Sequence, residues 1–437
     1  MLAAVYISGG QEVHSAPDAP DAVENSTNWT PDAPGRLLSF PTNVAFDPTI
    51  ALSNNGDLMT VFSQGPSTGD SDPYVSISTN GGTSWPASPT QIFSRPGYQS
   101  NPTGVYTNDG TGHVLWVETG NDGSSAGNDF RVLYANSTNW STTFAVISDR
   151  PDESGAVEDV DVVAYGDALY AVWSEVDEIY FASKTSAGSW TTKSVVSTAG
   201  SQTSRPAITV DINGTLHLAF VRQSFDFISL SSVFQIEYTQ STNGGSSWTS
   251  PAVLFGDLEL REHVDILVDD DQIVRLVFGE NTTVTNLRST QSANNRERYV
   301  SCSSDCSQVE SWGLIEHPSG STFDVFGADP NNLIPILATN GKTTFIYFHG
   351  SENQSAPERI YGVNSCNGWN TAPGLDLVPT SGTRRAIKPS LVYSITSLHM
   401  VYENVYDDGG ETRREIRYMT SPFTCTDQNF LPFFLNQ

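Results

Sequence analysis

The chain reads as an all-β protein, a seven-bladed β-propeller of four-stranded antiparallel blades, with six blades as the alternative. Three observations lead there. Seven of the nine tryptophans, Trp29, Trp85, Trp140, Trp190, Trp248, Trp312 and Trp369, recur at gaps of 56, 55, 50, 58, 64 and 57 residues. A second aromatic series, Phe62, Trp116, Trp173, Phe220, Phe278, Tyr347 and Tyr402, falls between them at the ends of alternating apolar and polar runs. No stretch sustains a 3.6-residue apolar period, so little helix is expected. A repeat of this length carried by strands signals radially arranged sheets, each needing its neighbours to bury its faces.

Within a repeat the elements follow in a fixed order. Fifteen residues before the first five aromatics stand Asp47, Asn101, Glu158, Arg205 and His263. Two hairpin-linked strands of constant length require such constancy, because a one-residue slip reverses every side chain. Gly56, Gly110, Gly166, Gly214 and Gly341 fall in the intervening turns, where positive φ is common. Third strands follow, such as Tyr74–Ser78, Arg131–Ala135 and Gln235–Thr239, then a tryptophan loop, then fourth strands such as Thr90–Phe93 and Ala252–Phe255. The ring closes by joining its ends: Asn25–Phe40 supplies the outer strand of a sheet whose other three come from Pro389–Met419. A strand at Ala3–Ser8 is the alternative. Residues 1–24 form an arm or a processed segment, and 25–437 form one propeller domain.

Composition narrows the function. The net charge is −28, and only four of the 21 basic residues are lysines. Such a field disfavours nucleic acid and anionic membranes as partners. No segment is long enough to span a bilayer. Met1–Ile7 lacks a basic flank and a full apolar region, which leaves it as the stub of a removed signal. Four cysteines, Cys302, Cys306, Cys366 and Cys425, sit in the last three repeats and fit disulfides in an oxidising compartment, with Cys302 and Cys306 paired. Asn25, Asn28, Asn136, Asn139, Asn213, Asn281 and Asn353 are glycosylation sequons, which point weakly to a secreted or cell-surface protein.

Two tryptophan loops carry a recognisable pattern. Ser78-Thr79-Asn80-Gly81-Gly82-Thr83-Ser84-Trp85 and Ser241-Thr242-Asn243-Gly244-Gly245-Ser246-Ser247-Trp248 resemble the Asp-box, Ser-X-Asp-X-Gly-X-Ser/Thr-Trp, with Asn for Asp in both. The chain thus resembles the Asp-box (BNR-repeat), sialidase-like β-propeller superfamily over most of its length. The resemblance implies the fold and a glycan-directed activity. Sialidases of that superfamily carry three arginines, a Tyr–Glu nucleophilic pair and an Asp acid/base, the first arginine lying in an Arg-Ile-Pro-like motif. Here Ser39-Phe40-Pro41 stands nearest, without an arginine, so the likeness extends to fold more than to sialidase chemistry.

Strand direction gathers the candidate site on the rim opposite the tryptophan loops. Asp47, Asn101, Glu158, Arg205, His263 and Lys388, with Asn332 less securely aligned, begin the inner strands. Gln64, Glu118, Glu175, Arg222, Glu280, His349 and Asn404 end the second strands. Arg95, Arg150 and Arg205 precede prolines at intervals of 55, and Arg261, Arg384 and Arg385 occupy comparable loops. Guanidinium forks suit carboxylate, sulfate or phosphate; the alternative is that each arginine pairs with an acidic neighbour. Arg95, Arg150, Arg205, Arg222 and Arg261 are therefore the ligand-binding candidates. Glu158, Glu175, His263 and Glu280 are the catalytic candidates, as paired carboxylates for glycoside cleavage or within an Arg/His/Tyr cluster for a lyase. The alternative is a satisfied polar channel. His113, His217 and His399 lie inside second strands and read as packing residues. Asp269, Asp270 and Asp271 replace a glycine turn and offer either a Ca²⁺ site or a solvated acidic turn. No other cofactor is implied.

Two functions from different classes fit. One is an exported or cell-surface propeller that recognises acidic glycans through an arginine-lined bowl, with or without cleaving them. The other is a non-catalytic structural, adhesion or assembly module of an extracellular array, self-associating or binding a surface protein through the N-terminal arm.

Overall fold

The computed structural model describes residue 29 and residues 35–67, 69–120, 129–150, 157–185, 188–191, 194–196, 202–226, 231–257, 260–282, 294–314, 316, 318, 325–326, 334–350, 358–366 and 384–423. Among them the only helix is a single 3-10 turn, Val309–Ser311. A short β1 (Arg36–Leu37) precedes the first meander, β2 (Val44–Leu52), β3 (Leu58–Ser67), β4 (Asp70–Ser78) and β5 (Thr90–Gln91). Next come β6 (Tyr98–Tyr106), β7 (Gly112–Gly120), β8 (Asp129–Asn136) and β9 (Ala145–Arg150), joined to the first meander by one parallel bridge, Ser71 to Tyr98. Separate sheets follow: β10 (Val157–Tyr165), β11 (Ala168–Glu175), β12 (Glu178–Lys184) and β13 (Ser194–Val195); then β14 (Gln202–Val210), β15 (Leu216–Asp226), β16 (Ser231–Ser241) and β17 (Ala252–Asp257). After them stand β18 (Leu260–Val268), β19 (Val274–Thr282), β20 (Asn294–Cys302) and β21 (Val325–Phe326). The three-stranded sheet is β22 (Ile336–Thr339), β23 (Thr344–Gly350) and β24 (Arg359–Asn364), and the last is β25 (Arg385–Ser394), β26 (Ser397–Asp408) and β27 (Glu411–Pro422).

The innermost strands define the architecture. β2 lies against β6, β6 against β10, β10 against β14, β14 against β18, β18 against β22, β22 against β25, and β25 returns to β2. The sheets thus stand radially about an axis, a β-propeller. Closure follows the sequence expectation, since Arg36 and Leu37 pair with Tyr418 and Arg417 of β27. The Leu38 amide donates to the Ile416 carbonyl at 2.9 Å, and the Ile416 amide to Ser39 Oγ at 3.0 Å. Residues 1–28, including the expected arm, lie outside the described residues.

Packing explains both aromatic series. Phe62, Trp116, Trp173, Phe220, Phe278, Tyr347 and Tyr402 are almost fully buried on the second strands, where each fills the space between adjoining sheets. Four of the loop tryptophans reach back to the third strand of the preceding sheet. Trp85 lies 4.9 Å from Tyr418, Trp190 5.3 Å from Tyr134, Trp248 5.4 Å from Phe181 and Trp312 5.0 Å from Tyr238, as ring centroids. Three of those tyrosines are fixed from behind by the packing histidines: His113 to Tyr134 at 2.8 Å, His217 to Tyr238 at 2.6 Å and His399 to Tyr418 at 2.7 Å. Burial pushes all three imidazoles down to about 4, so they are neutral at pH 7.

The two patterned hairpins share one hydrogen-bond network. Asn80 Oδ1 accepts from the Ser84 amide at 2.8 Å and from Ser78 Oγ at 3.0 Å, while Ser78 Oγ accepts from the Gly82 amide at 2.9 Å. Asn243, Ser247, Ser241 and Gly245 repeat it at 2.9 Å each. The asparagine oxygen is the turn acceptor that a carboxylate oxygen would be, and its amide adds a donor bond, Asn80 Nδ2 to Ser84 Oγ at 2.7 Å and Asn243 Nδ2 to Ser247 Oγ at 2.8 Å. Cys302 and Cys306 form a disulfide as expected. Cys366 is also disulfide-bonded, and Cys425 lies outside the described residues.

The hairpin makes a specific prediction. Gly81 and Gly82 both have positive φ, 64° and 80°, but a Cβ on Gly81 meets nothing within 4 Å, whereas one on Gly82 would lie 1.8 Å from the Tyr418 hydroxyl. Gly81→Ala should cost about 1 kcal/mol from the backbone alone. Gly82→Ala should cost roughly 2–4 kcal/mol, because it also forces Tyr418 from its histidine and tryptophan partners. Denaturant midpoints of the two variants test this; equal losses would refute the packing account.

Candidate functional site

The site grows out of an irregularity repeated in the inner strands. The ladder between first and second strand slips at Phe46/Thr49, Ser100/Thr103, Glu158/Asp161, Ser204/Ala207, Glu262/Val264 and Ile387/Ser390. At each slip one non-glycine residue takes positive φ: Asp47 52°, Asn101 48°, Asp159 46°, Arg205 53°, His263 46° and Lys388 49°. A bulge leaves a backbone N–H without a ladder partner, and a buried N–H must find another. The preceding sheet supplies it. The Asp47 amide donates to Glu403 Oε1 at 2.9 Å, that of Asn101 to Asp47 Oδ2 at 3.4 Å, that of Lys388 to His349 Nδ1 at 3.3 Å, and that of Arg205 to the Asp159 carboxylate.

All six residues line one cavity of about 410 Å³ on the propeller axis. On one side the Lys388 ammonium contacts Asp47 and lies 3.4 Å from Glu403, whose other oxygen is 3.5 Å from Arg414. Burial opposes the Lys388 charge, but Asp47 and Glu403 outweigh it and hold the ammonium above its ordinary range. Burial raises the fully enclosed Glu403 carboxyl, with Lys388 opposing. Tyr98 stacks on Phe46 at 5.8 Å and feels Asp47 and Lys388. On another side Arg205 Nη1 lies 2.6 Å from His263 Nε2 and 3.1 Å from Nδ1. Burial, then Arg205, push His263 well below 6.5, so the imidazole is neutral. Among the described residues no carboxylate forms a side-chain ion pair with Arg205, although burial and Arg205 act in opposite directions on the Asp159 carboxyl. Burial and Lys388 hold His349 at about 3.

Two residues further along the inner strands, a second belt ties neighbouring sheets. Asp161 accepts from the Ile208 amide at 2.9 Å, Asp265 from the Leu337 amide at 2.7 Å and Ser390 Oγ from the Ile50 amide at 3.2 Å. Burial pushes Asp161 up to about 6 and Asp265 up to about 7, against the lowering effect of those hydrogen bonds.

The sequence candidates are dispersed more than expected. Arg205 and His263 meet in the cavity, but in the third repeat the axial position belongs to Asp159 and not to Glu158. The first hairpin there closes on a two-residue turn between Tyr165 and Ala168, which shortens the spacing to Trp173 by one. Glu175 is buried away from the cavity, accepting from Trp173 Nε1 at 2.9 Å and Ser148 Oγ at 2.6 Å. Arg95 faces Glu118 at 3.5 Å, and Arg222 forks onto Glu237 at 2.6 and 2.8 Å. The arginines therefore do not converge on one point. Arg150, Arg261, Glu158 and Glu280 lie on strands, but their side chains are outside the described residues.

The acidic turn does not gather its carboxylates. Asp269 turns inward, accepts from the Ile273 amide at 2.9 Å and is neutralised by Arg275 at 2.5 Å, while Asp270 and Asp271 are exposed. No group among the described residues could hold a metal ion. Of the sequons, Asn139 and Asn213 are exposed and Asn136 donates to the Tyr134 hydroxyl at 3.1 Å. Asn25, Asn28, Asn353 and the side chain of Asn281 are outside the described residues. Among the described residues no helix is long and apolar enough to cross a membrane.

Sequence reading missed Asp159, Glu403 and Tyr98. A usable signal existed in the recurrent X-Pro pairs Asp47-Pro48, Asn101-Pro102, Arg205-Pro206 and Lys388-Pro389, which mark four of the six bulges.

Neither family models nor curated proteins match the sequence. Solved structures do. An ulvan lyase, from a new family of polysaccharide lyase and bound to -[GlcA(1-4)Rha3S]-, is similar with a TM-score of 0.61 at 8% identity, over 89% of this chain and 96% of that one. A protein of unknown function from Dyadobacter fermentans DSM 18053 is similar with a TM-score of 0.52 at 13% identity, over 88% and 97%. At such identities the likeness shows the fold alone. Weaker similarity, with a TM-score of 0.48 at 12% identity, reaches a leech intramolecular trans-sialidase over 89% of this chain and 70% of that one.

The belt predicts a pH dependence. Asp265 has a folded value near 7 against 3.8 for the free side chain, so the folded state binds the extra proton. Its stabilising contribution is complete below about pH 4 and is lost as pH rises through 7. Asp265→Asn keeps an acceptor for Leu337 and removes the titration. It should match the unsubstituted protein at pH 4 and exceed it by about 1–2 kcal/mol at pH 8, solvent in the cavity trimming the effect. Unfolding curves at both values check this, and a variant weaker at pH 8 overturns it.

Proposed function

We propose that this chain is a seven-bladed, Asp-box-type propeller that recognises acidic glycans at its axial cavity and cleaves them by elimination at a uronate. One observation carries the reading: the Arg205 guanidinium rests on a neutral imidazole at the wall of the axial cavity, with no carboxylate in an ion pair with it among the described residues. A guanidinium held this way keeps its fork for a planar anion, and a sugar carboxylate fits that fork. The fold similarity to a polysaccharide lyase supports the substrate class.

The groups at hand suit elimination better than hydrolysis. Hydrolysis by two carboxylates needs one as acid and one as base or nucleophile. Asp47 and Glu403 are instead engaged by Lys388, and Glu175 lies outside the cavity. In the proposed reaction Arg205 moves onto the uronate carboxylate and frees His263. The neutral imidazole takes the proton at C5, the C4–C5 double bond forms, and the C4–O bond breaks. The departing oxygen takes a proton from solvent in the cavity. The expected location is extracellular, in keeping with the disulfide.

The test is turnover of polyuronates, followed by ultraviolet absorbance of an unsaturated product, with sialosides as a control. Arg205→Ala should lower activity by about 10²-fold or more, and His263→Ala by a similar factor. Arg222→Ala, whose guanidinium is already paired with Glu237, should leave it within about twofold. Full activity in Arg205→Ala, or no binding of any acidic glycan by the unsubstituted protein, would contradict the proposal.

A further inference from the structure

We propose that Arg384 and Tyr406 form a second anion subsite, which takes a carboxylate or sulfate on another sugar of the same chain. The ligand class rests on the function proposed above; the site rests on its own geometry. Arg384 stacks over the Tyr406 ring with its Cζ 4.5 Å from the centroid. Neighbouring arginines of the same sheet each have an acid at home: Arg385 with Glu358 at 3.0 Å, Arg413 with Glu411 at 2.9 Å, Arg414 with Glu403 at 3.5 Å and Arg417 with Glu415 at 2.5 Å. Arg384 has no carboxylate partner among the described residues, in a chain that carries 49 acidic side chains against 21 basic ones. A guanidinium without such a partner in so acidic a protein is positioned for an anion that arrives from outside.

Its platform is rigid. The Tyr406 hydroxyl donates to Glu415 Oε1 at 2.8 Å, and the other Glu415 oxygen is held by Arg417 at 3.0 and 2.5 Å. The contact with the ring restrains the guanidinium, which lowers the entropy lost on binding a planar or tetrahedral oxyanion. Both Arg384 and Tyr406 are partly exposed.

The position relates this subsite to the axial cavity. Arg384 immediately precedes β25, and Lys388 lies four residues further along the same strand, at the cavity wall. At about 3.3 Å per residue the separation is roughly 13 Å along the backbone, too far for one sugar ring and suited to a chain of several. A ligand reaching both points is a polymer with repeated charges rather than a glycan with one terminal acid.

The experiment is equilibrium binding of an oligogalacturonate disaccharide and hexasaccharide, and of a sulfated galactan hexasaccharide, to the full chain. The unsubstituted protein should bind the hexasaccharide more tightly than the disaccharide. Arg384→Ala should weaken the hexasaccharide by about tenfold and leave the disaccharide unchanged, and Arg384→Lys should recover only part, lacking the fork. An unchanged melting temperature keeps folding out of the comparison. Loss confined to the uronate or to the sulfated probe identifies the anion. A length advantage that survives Arg384→Ala overturns the subsite. Arg205→Ala separates the two proposals: if it leaves disaccharide binding intact, the axial reading fails while the length comparison still decides Arg384. No binding of any probe by the unsubstituted protein overturns both.

Discussion

The bulge in each inner strand is the constraint from which the site follows. A non-glycine residue with positive φ costs about 1–2 kcal/mol, and six of them stand round one axis. They persist because the surroundings over-determine them: four of the displaced amides are accepted by side chains of the preceding sheet, Glu403, Asp47, Asp159 and His349. Each of these four side chains therefore has two tasks. That means holding a neighbour's backbone as well as shaping the electrostatics of the cavity. Removing one disturbs the ring as well as the electrostatics, which is why Arg205, whose guanidinium holds no backbone group, is the freer of the axial residues to engage a ligand.

Burial of the individual groups then decides their charge states. Burial keeps His263 and His349 neutral, raises Asp161 and Asp265 towards neutrality, and leaves Lys388 charged only because Asp47 and Glu403 face it. The cavity consequently holds few free charges despite its many ionisable side chains. Its open valence is positive, at Arg205, inside a strongly acidic protein. The exterior field slows the approach of an anionic glycan, so binding should depend on close contacts in the cavity rather than on long-range steering.

Much of the fold was legible in the sequence because packing repeats it. Four loop tryptophans reach an aromatic on the preceding sheet, which fixes the interval between Trp85, Trp190, Trp248 and Trp312 and their partners. The closing of the last sheet by Arg36–Leu37 was readable from the same logic. The site was less legible. A single residue decides whether Glu158 or Asp159 reaches the axis, and a two-residue turn elsewhere in the hairpin sets that register. Whether an arginine is committed to a carboxylate depends on cross-strand neighbours, as with Arg222 and Glu237 two ladder positions apart, and no spacing rule in the sequence reveals it. The same holds for Asp269, which reads as a metal ligand until Arg275 is seen to fold back on it.

The central claim is that Arg205 receives the acidic group of the ligand at the propeller axis. The most direct measurement is a crystal structure of the protein with a bound oligouronate. The account predicts a sugar carboxylate forked by the Arg205 guanidinium, with His263 released and facing C5 of the same sugar. A glycan seated on the tryptophan-hairpin side, or held at the rim with Arg205 still resting on His263, would contradict it.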